Sequence, residues 1–266
     1  MKHLCEARVV GVTQLTENHY VTYLEAPAIA EEACPGQFVM VRPLAPTTLL
    51  PRPLGISRVG RTQGRIALLI RVRGSGTHSL VTQAAERTLL VWGPLGRGYT
   101  MPASGDEIVL VAGGYGIAPL VFMTEESVRA GARVTVVIGA SSARRIVAED
   151  VMRRAGARVQ VATEDGSAGF PGLASGAAAE ALGPKTTRLH ACGPLGMLRA
   201  IAELCAQRGI ECEVSMEERM ACGVGACMGC PVPVVSGGYK MACSDGPVFA
   251  ASEVDWTRLE VAHGGA

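Results

Sequence analysis

Four cysteines near the C-terminal end of the sequence have a spacing that suits metal chemistry. Three of them follow a C-x4-C-x2-C pattern, and the fourth comes after twelve intervening residues. Four thiolates with this spacing hold a [2Fe–2S] cluster. Glycines within the loop ACGVGACMGC permit tight turns and let backbone N–H groups approach the cluster sulfides. The predicted ligands are Cys222, Cys227, Cys230 and Cys243.

A structural zinc ion is the alternative occupant, because zinc sites also use four cysteines. Zinc sites usually contain two C-x2-C pairs, however, and this stretch contains one. The other five cysteines are scattered along the chain. A disulfide framework is typical of short secreted domains, so we interpret the scattered thiols as small hydrophobic groups of the core.

Two glycine-containing turns are candidates for binding a nucleotide. Each comes directly after a predicted strand and before a predicted helix, where helix N-terminal amides can face a pyrophosphate. The alternative is that these turns serve only the packing of strand and helix, because the first turn does not match the G-x-G-x-x-G motif. In a doubly wound sheet, two such turns border the same crevice. The candidate residues are Gly113, Gly114 and Gly116 in the first turn, and Cys192, Gly193 and Pro194 in the second.

Arginines and small polar residues in the N-terminal region form a second group of candidates. Arginine can bind a phosphate through two hydrogen bonds, and a Gly-Ser-Gly-Thr segment can present N–H and hydroxyl donors to it. Arginines on such loops can equally be solvated. The candidate residues are Arg52, Pro53, Leu54 and Gly55, followed by Arg71, Val72, Gly74, Ser75, Gly76 and Thr77.

The pattern of apolar residues predicts three regions that position these groups. Residues 1–102 contain short strand-like runs, which indicate an antiparallel barrel or sandwich interrupted by one short helix near HSLVTQAA. In residues 103–211, buried strands alternate with helices, as in a doubly wound parallel sheet. Residues 212–266 are rich in glycine and cysteine and too few to hold a core alone, so we expect a metal to stabilise them.

Composition excludes several classes of function. The 266 residues carry 25 basic and 24 acidic side chains, a balance that gives no electrostatic basis for binding nucleic acid or an anionic membrane. The sequence has neither a signal-peptide pattern nor an apolar run long enough to span a membrane. The sequence therefore predicts a cytoplasmic protein with no nucleic-acid or membrane partner.

The order of barrel, nucleotide fold and clustered cysteines resembles the ferredoxin–NADP reductase superfamily. More narrowly, the chain is similar to the electron-transfer subunit of NAD-dependent (class 1B) dihydroorotate dehydrogenase. The similarity covers roughly residues 3 to 256. It rests on the segments RPLGIS, RVRGSGTHSL, GPLGRGY, LVAGGYGIAPL, ATEDGSAG, ACGPLGML, SMEERMACGVGACMGC and ACSDGPVF.

This resemblance implies a relay of electrons between three cofactors. FAD would lie in the barrel, with its flavin near Arg52 and Pro53, its pyrophosphate near 74–77, and residues 70–72 (Ile70 to Val72) beside the flavin. NAD would dock over the two glycine turns. The cluster would exchange electrons with an FMN-containing dihydroorotate dehydrogenase catalytic subunit in a heterotetramer with two of each chain. In that complex, dihydroorotate oxidation supplies electrons for NAD reduction during pyrimidine biosynthesis.

Two departures from the family pattern affect single contacts. The family motif places a serine where this chain has Gly55. Either Ser57 replaces it after a small register shift, or the flavin loses one hydrogen bond. Ser141, Arg144 and Arg145 follow the strand that would carry the nucleotide-selecting groups. Arginines there could bind a ribose 2′-phosphate, or they could begin a solvated helix; we expect NAD rather than NADP.

Two alternative functions remain open at this stage. The chain could be the small flavin and iron–sulfur subunit of another NAD(P)H-dependent oxidoreductase, of the ferredoxin–NADP or sulfur/glutamate type. It could also be a non-catalytic redox sensor. The co-purifying large chain distinguishes the first alternative, and rapid flavin reduction by NADH would exclude the second.

Overall fold

Six antiparallel strands close the N-terminal region into a barrel. A computed structural model of the protein describes residues 2–44, 48–82 and 87–262. The strand order around the barrel is β1-β2-β5-β4-β3-β6. The bounds are β1 His3–Thr16, β2 His19–Glu25, β3 Phe38–Val41, β4 Arg52–Gly60, β5 Arg65–Arg71 and β6 Thr88–Leu95.

Two short helices interrupt the barrel, where the sequence pattern predicts one. They are α1, Pro27–Glu32, and α2, Ser75–Thr82. The second overlaps the predicted helix near HSLVTQAA, whose last residues lie outside the described part of the chain. β4, which carries the RPLGIS segment, is the strand that the apolar pattern missed, because a proline and a glycine interrupt its alternation.

A seven-stranded sheet forms the centre of the molecule, in the order β10-β9-β8-β7-β11-β12-β15. All its pairings are parallel except that of β15 with β12. The strands are β7 Glu107–Gly113, β8 Arg133–Ala140, β9 Arg158–Thr163, β10 Phe170–Pro171, β11 Thr186–Cys192 and β12 Glu211–Ser215. The helices are α3 Ile117–Arg129, α4 Glu149–Arg154, α5 Ala174–Ala181 and α6 Leu195–Arg208.

The order of strands places the crevice of the sheet beside β7. The chain winds from β7 to β8 on one side and returns to β11 on the other, so the carboxyl ends of β7 and β11 flank the point where the winding direction reverses. Ligands of open α/β sheets bind at this point. The predicted barrel and doubly wound sheet are therefore confirmed, and both glycine turns lie at the crevice.

The C-terminal region is attached to the sheet and does not form a separate core. It contains a small hairpin, β13 Pro231–Pro233 with β14 Tyr239–Met241, then β15 Val248–Ala250 and α7 Trp256–Ala262. The predicted boundary at residues 211 and 212 falls inside β12, and β15 adds to the same sheet. One apolar cluster combines Met40 and Leu95 of the barrel, Leu189 of the sheet, and Val232 and Phe249 of the C-terminal region.

Among the helices that the structure describes, none has the length and apolar character required to cross a membrane.

Candidate functional site

The four clustered cysteines lie on one irregular loop and one hairpin. Residues 216–230 contain no regular helix or strand, and the β13–β14 hairpin then returns the chain so that Cys243 approaches the loop. The N–H of Ala242 donates to the carbonyl of Cys230 at 2.9 Å, which closes this return. The hairpin therefore supplies the fourth thiol that the sequence spacing predicts.

Backbone N–H groups of the loop point at the cysteine sulfurs. Gly225 N–H donates to Sγ of Cys243 at 3.0 Å, and Val224 and Cys227 N–H donate to Sγ of Cys222 at 3.5 and 3.4 Å. Burial alone would raise the pKa of Cys222, but these N–H donors lower it to about 6. N–H donors of this kind stabilise the thiolate charge that iron requires.

Glycines make this loop geometry possible. Gly223 and Gly225 have φ angles of +72° and +83°, which side-chain-bearing residues rarely adopt. A Cβ on Gly223 would also lie 2.6 Å from Cγ of Met40, so the loop packs closely against barrel strand β3. Both the backbone conformation and the close contact require glycine at residue 223.

The arrangement of the thiols fits a two-iron cluster better than a single zinc ion. Cys222 contacts Cys227, and Cys230 contacts Cys243, through their side chains. A [2Fe–2S] cluster needs two pairs of thiolates, one on each iron, whereas a zinc ion needs four around one point.

A cavity of about 560 Å³ lies where the barrel, the sheet and the segment leading to the cysteine loop meet. Barrel strands form one wall, the turns after β7 and β11 form another, and residues 215–220 close the third. The lining residues are Gly36, Phe38, Leu50, Pro51, Arg52, Pro53, Leu54, Gly55, Arg71, Arg73, Thr77, Tyr115, Ala118, Pro119, Cys192, Ser215, Met216, Glu217, Glu218, Arg219, Met220 and Pro247.

The two predicted flavin segments meet at this cavity. Residues 52–55 line it together with Arg71 and Thr77. A Cβ on Gly76 would lie 2.9 Å from Nη2 of Arg52, so the guanidinium lies directly against the turn that begins α2. At Gly74, by contrast, a Cβ would have no neighbour within 4 Å. The structure thus places arginines and an open glycine turn where a dinucleotide phosphate could bind.

Six of the predicted flavin residues do not line the cavity: Ser57, Ile70, Val72, Gly74, Ser75 and Gly76. Ile70 is buried in the barrel core, and Val72 packs against that core. Ser57 is also buried, with its hydroxyl donating to the carbonyl of Ala67 at 2.8 Å. The pairing of β4 with β5 shifts register at Ser57, and this bulge turns the side chain inward. In this structure the Ser57 hydroxyl is therefore engaged with Ala67, and the replacement of the missing serine at Gly55 by Ser57 stays a prediction.

The two glycine turns pack directly against each other. A Cβ on Gly116 would lie 2.1 Å from the carbonyl oxygen of Cys192, and one on Gly193 would lie 2.9 Å from Cα of Gly113. A Cβ on Gly113 would in turn lie 2.6 Å from Cδ of Pro194. Side chains would separate the turns, so glycine is needed for packing here as well as for any close approach of a nucleotide. Gly114, with φ of +51°, has open space around it.

Sequence reasoning did not identify several residues that line the cavity, among them Tyr115, Glu217 and Met220. Tyr115 links the two domains, because its hydroxyl donates to the carbonyl of Leu69 on β5. Glu217 belongs to the segment that joins β12 to the cysteine loop, and it lines the cavity. Its position next to the cavity depends on the sheet topology, which no local pattern in SMEERM indicates. Met220 also lines the cavity, whereas Met228 is exposed.

A buried polar group lies beside the cavity on β11 and β12. Nδ1 of the fully buried His190 is 3.1 Å from Oε2 of Glu213, and the ring of Tyr99 lies edge-on to the imidazole. The N–H and hydroxyl of Thr100 donate to the same carboxylate at 2.9 and 2.7 Å. Burial lowers the pKa of His190 despite the adjacent carboxylate, so the imidazole is neutral at pH 7. This group fastens the end of the barrel to the sheet.

We expect Glu213→Gln to flatten the loss of stability in acid. Burial alone would raise the pKa of Glu213, but its partners lower it from 4.5 to about 2. The carboxylate therefore stabilises the fold above pH 4.5, and this contribution is lost as the pH falls toward 2. Protonation of buried His190 below pH 6.5 destabilises in the same direction. Thermal denaturation midpoints of the wild type and of Glu213→Gln at several pH values measure how much less stability the variant loses in acid.

The matched control for this prediction is Glu211→Gln on the same strand. Glu211 pairs with Arg188, but its side chain is 71% exposed. Exposed ion pairs contribute at most about 1 kcal/mol, so the control should follow the wild-type pH profile. Equal pH profiles for Glu213→Gln and the wild type would contradict the assignment.

Comparisons with known proteins agree with this geometry. The sequence model of the iron–sulfur cluster binding domain of dihydroorotate dehydrogenase B matches residues 217–255, which include all four cysteines. A solved structure of an NADH-dependent reduced ferredoxin–NADP oxidoreductase superposes with a TM-score of 0.84 at 30% identity, covering 97% of this chain and 93% of the other. The ferredoxin reductase of carbazole 1,9a-dioxygenase, at 20% identity and a TM-score of 0.67, shares the fold over 79% of this chain and 67% of its own.

Curated relatives identify the family over nearly the whole chain. An electron transfer subunit of dihydroorotate dehydrogenase B (NAD(+)) from Desulforamulus reducens is 40% identical over 96% of this chain and 100% of its own length. The subunit of the same name from Bacillus caldolyticus is 38% identical over 90% of this chain and 94% of its own. The chain therefore belongs to the family of electron transfer subunits of dihydroorotate dehydrogenase B.

Proposed function

We propose that this chain relays electrons between NAD and a partner subunit that oxidises dihydroorotate, using FAD and a [2Fe–2S] cluster. The observation that carries the proposal is the single cavity shared by the barrel, both glycine turns and the segment entering the cysteine loop. A flavin in that cavity would be next to both the nucleotide site and the cluster site. The family relatives, named as NAD(+) electron transfer subunits, support the same conclusion.

The lining of the cavity suits FAD. Arg52, Arg71 and Arg73 supply positive charge for the pyrophosphate, and Thr77 supplies a hydroxyl whose oxygen already accepts from Arg73 N–H at 2.9 Å. Prolines and apolar side chains form much of the remaining wall and suit a flavin ring, and Ser215, Glu217, Glu218 and Arg219 add polar groups at the side of the cysteine loop. FAD bound here would accept a hydride from the nicotinamide and pass electrons singly to the cluster.

The residues expected around the nicotinamide ring have structural roles. Cys192 is buried at the wall of the cavity, and burial raises the pKa of its thiol to about 12. It therefore acts as a small uncharged surface for the ring, without nucleophilic chemistry. The packed glycines of the two turns hold the pyrophosphate-binding amides of α3 and α6 at a fixed separation.

The cysteine loop is the expected contact with the catalytic subunit. Met228 and Val224 on this loop are 64% and 42% exposed, and Cys227 beside them is the exposed cluster thiol. Apolar side chains around a redox centre favour close docking, which shortens the path for electrons. We infer that the partner carries FMN, that two copies of each chain assemble as a heterotetramer, and that the complex acts in pyrimidine biosynthesis in the cytoplasm.

Affinity purification from the native host tests the assignment of the partner. If an FMN-containing dihydroorotate dehydrogenase chain co-elutes, the proposal is supported. If another oxidoreductase or only ferredoxin co-elutes, the proposed FAD and [2Fe–2S] chemistry is retained, but the assignment to pyrimidine biosynthesis is wrong. The structure at 30% identity gives this alternative its basis, because that relative is an NADH-dependent reduced ferredoxin–NADP oxidoreductase.

We expect the isolated protein, loaded with its cofactors, to reduce artificial dyes with NADH but not to oxidise dihydroorotate. The cavity lies between cofactor-binding segments, and the sequence has no second flavin site with a catalytic Cys or Ser beside Lys and Asn. The rate of dye reduction is measured with NADH and with dihydroorotate, each with and without the purified catalytic subunit. These rates show which subunit oxidises which substrate. Turnover of dihydroorotate by the isolated chain would contradict it.

A further inference from the structure

The glycine turn after β7 carries a tyrosine that reaches the barrel. Tyr115 lies in the 3-10 turn Gly114–Gly116, at the carboxyl end of β7 and directly before α3. Its side chain lines the cofactor cavity, and its hydroxyl donates to the carbonyl of Leu69 on β5. The turn that borders the nucleotide crevice is therefore bonded directly to a strand of the barrel.

The acceptor of this bond lies at the boundary between the barrel and the sheet. The pairing of β4 with β5 ends at Leu68, so Leu69 is the first residue of β5 beyond it. The side chain of Leu69 is buried in the same apolar cluster as Leu110 of β7, and Tyr115 packs against that cluster. Arg71, two residues farther along β5, lines the cofactor cavity. The hydroxyl of Tyr115 thus bonds the part of β5 that leads into the cavity wall.

A histidine of the barrel makes a second contact with the tyrosine. The rings of His19 and Tyr115 are 6.3 Å apart between centroids, with their planes inclined by 25°, which is within the range of offset stacking. Oγ1 of Thr16 lies 2.7 Å from Nδ1 of His19 and holds the imidazole at the turn between β1 and β2. Tyr115 therefore contacts the barrel in two ways, through its hydroxyl and through its ring.

The two glycine turns are connected to the barrel as one unit through this tyrosine. A Cβ on Gly116 would lie 2.1 Å from the carbonyl oxygen of Cys192, so the turns are packed backbone against backbone. The ion pair between Arg58 of β4 and Glu125, at 2.7 Å, joins the barrel to the second half of α3, away from the turns. A contact at Tyr115 acts instead at the turns themselves and sets how far both of them lie from β5.

We propose that Tyr115 is a positioning residue for hydride transfer: it holds the two glycine turns against β5 and so sets the distance between the nicotinamide and the flavin. The inference rests on the proposed function, because it concerns the geometry in which NADH reduces the flavin. Hydride transfer needs its reacting atoms about 3–3.5 Å apart, and a misplacement of about 1 Å can slow such a step about 100-fold. The hydroxyl of Tyr115 bonds a backbone carbonyl of the barrel, so its effect is on this distance and not on the affinity for either cofactor.

The test compares Tyr115→Phe with the matched control Tyr99→Phe in the protein loaded with both cofactors. Phenylalanine at residue 115 keeps the ring and removes only the hydroxyl. Tyr99 also donates its hydroxyl to a backbone carbonyl of the sheet from the end of the barrel, to Ala191 at 3.3 Å, but it is not among the residues that line the cavity. Anaerobic stopped-flow absorbance at several NADH concentrations separates the limiting rate of flavin reduction from the NADH dissociation constant.

The two variants are expected to differ in the limiting rate. Tyr115→Phe should lower it about 3- to 10-fold, the range that one neutral hydrogen bond allows, with the NADH dissociation constant within about twofold of wild type. Tyr99→Phe should leave both quantities within about twofold. Deuterium exchange at the amides of residues 113–117, followed without nucleotide, gives a readout that does not depend on turnover. It should be faster in Tyr115→Phe than in wild type or Tyr99→Phe, because the turn has lost its bond to β5.

The outcomes separate this inference from the proposed function. If Tyr115→Phe reduces the flavin at the wild-type limiting rate, if its loss lies only in NADH affinity, or if Tyr99→Phe is slowed equally, the positioning role is wrong and the proposed function stands. If NADH does not reduce the flavin of the wild type, the proposed function fails. Faster exchange at residues 113–117 confined to Tyr115→Phe would then still support the attachment of the turns to β5, and unchanged exchange would overturn it as well.

Discussion

In a Cys227→Ser protein, electrons from NADH are expected to reach the flavin but no longer to reach an acceptor beyond the cluster. Cys227 is the exposed thiol of the loop and forms a side-chain pair with Cys222. A serine oxygen replaces the soft thiolate that iron–sulfur clusters require. The cavity that would hold the flavin does not include Cys227, so the first half of the relay remains intact.

Two measurements check this prediction. Anaerobic stopped-flow absorbance follows flavin bleaching by NADH, which should stay within about twofold of wild type because its binding contacts are untouched. Reduction of the purified catalytic subunit should fall to background. Cys34→Ser is the matched control, since Cys34 is also exposed but lies on the barrel, with its thiol near the carbonyl of Glu32. Onward transfer that persists in Cys227→Ser would remove the cluster from the route.

The architecture was predictable because the pattern of apolar and polar residues in each segment matches the strand or helix that the segment forms. The run IVLVAG is apolar throughout, and these residues of β7 are indeed buried in the middle of the sheet. The four cysteines were predictable for a similar reason, since a loop that wraps a cluster needs its thiols and glycines at fixed spacing. In both cases the physical requirement lies within a short stretch of chain.

Features that depend on contacts between distant segments were not predictable in the same way. The inward rotation of Ser57 follows from a bulge between β4 and β5, and neither strand's own sequence specifies it. The contribution of residues 215–220 to the cavity follows from the position of β12 in the sheet. β15 pairs with β12 across a separation that includes the whole cysteine loop. Such features arise from tertiary packing, which overrides local propensity.

Gly116→Ala is expected to slow flavin reduction by NADH about 100-fold, because it would move the two nucleotide-binding turns apart. Gly116 has φ of −60°, a conformation that alanine adopts easily, so the backbone itself is not strained. The added Cβ would lie 2.1 Å from the carbonyl oxygen of Cys192 and 2.6 Å from the nitrogen of Gly193. These are backbone atoms and cannot rotate away, so one turn must shift.

Gly196→Ala, at the second residue of α6, is the control for this prediction. A Cβ at Gly196 has no neighbour within 4 Å, and alanine favours the helix by up to about 1 kcal/mol. The control should therefore keep wild-type reduction kinetics with equal or higher thermal stability. Gly116→Ala should lose both NADH affinity and rate, and overpacking should cost about 1–3 kcal/mol of stability. Wild-type kinetics in Gly116→Ala would show that the contact between the turns does not position the nucleotide, because the steric displacement itself is unavoidable at these distances.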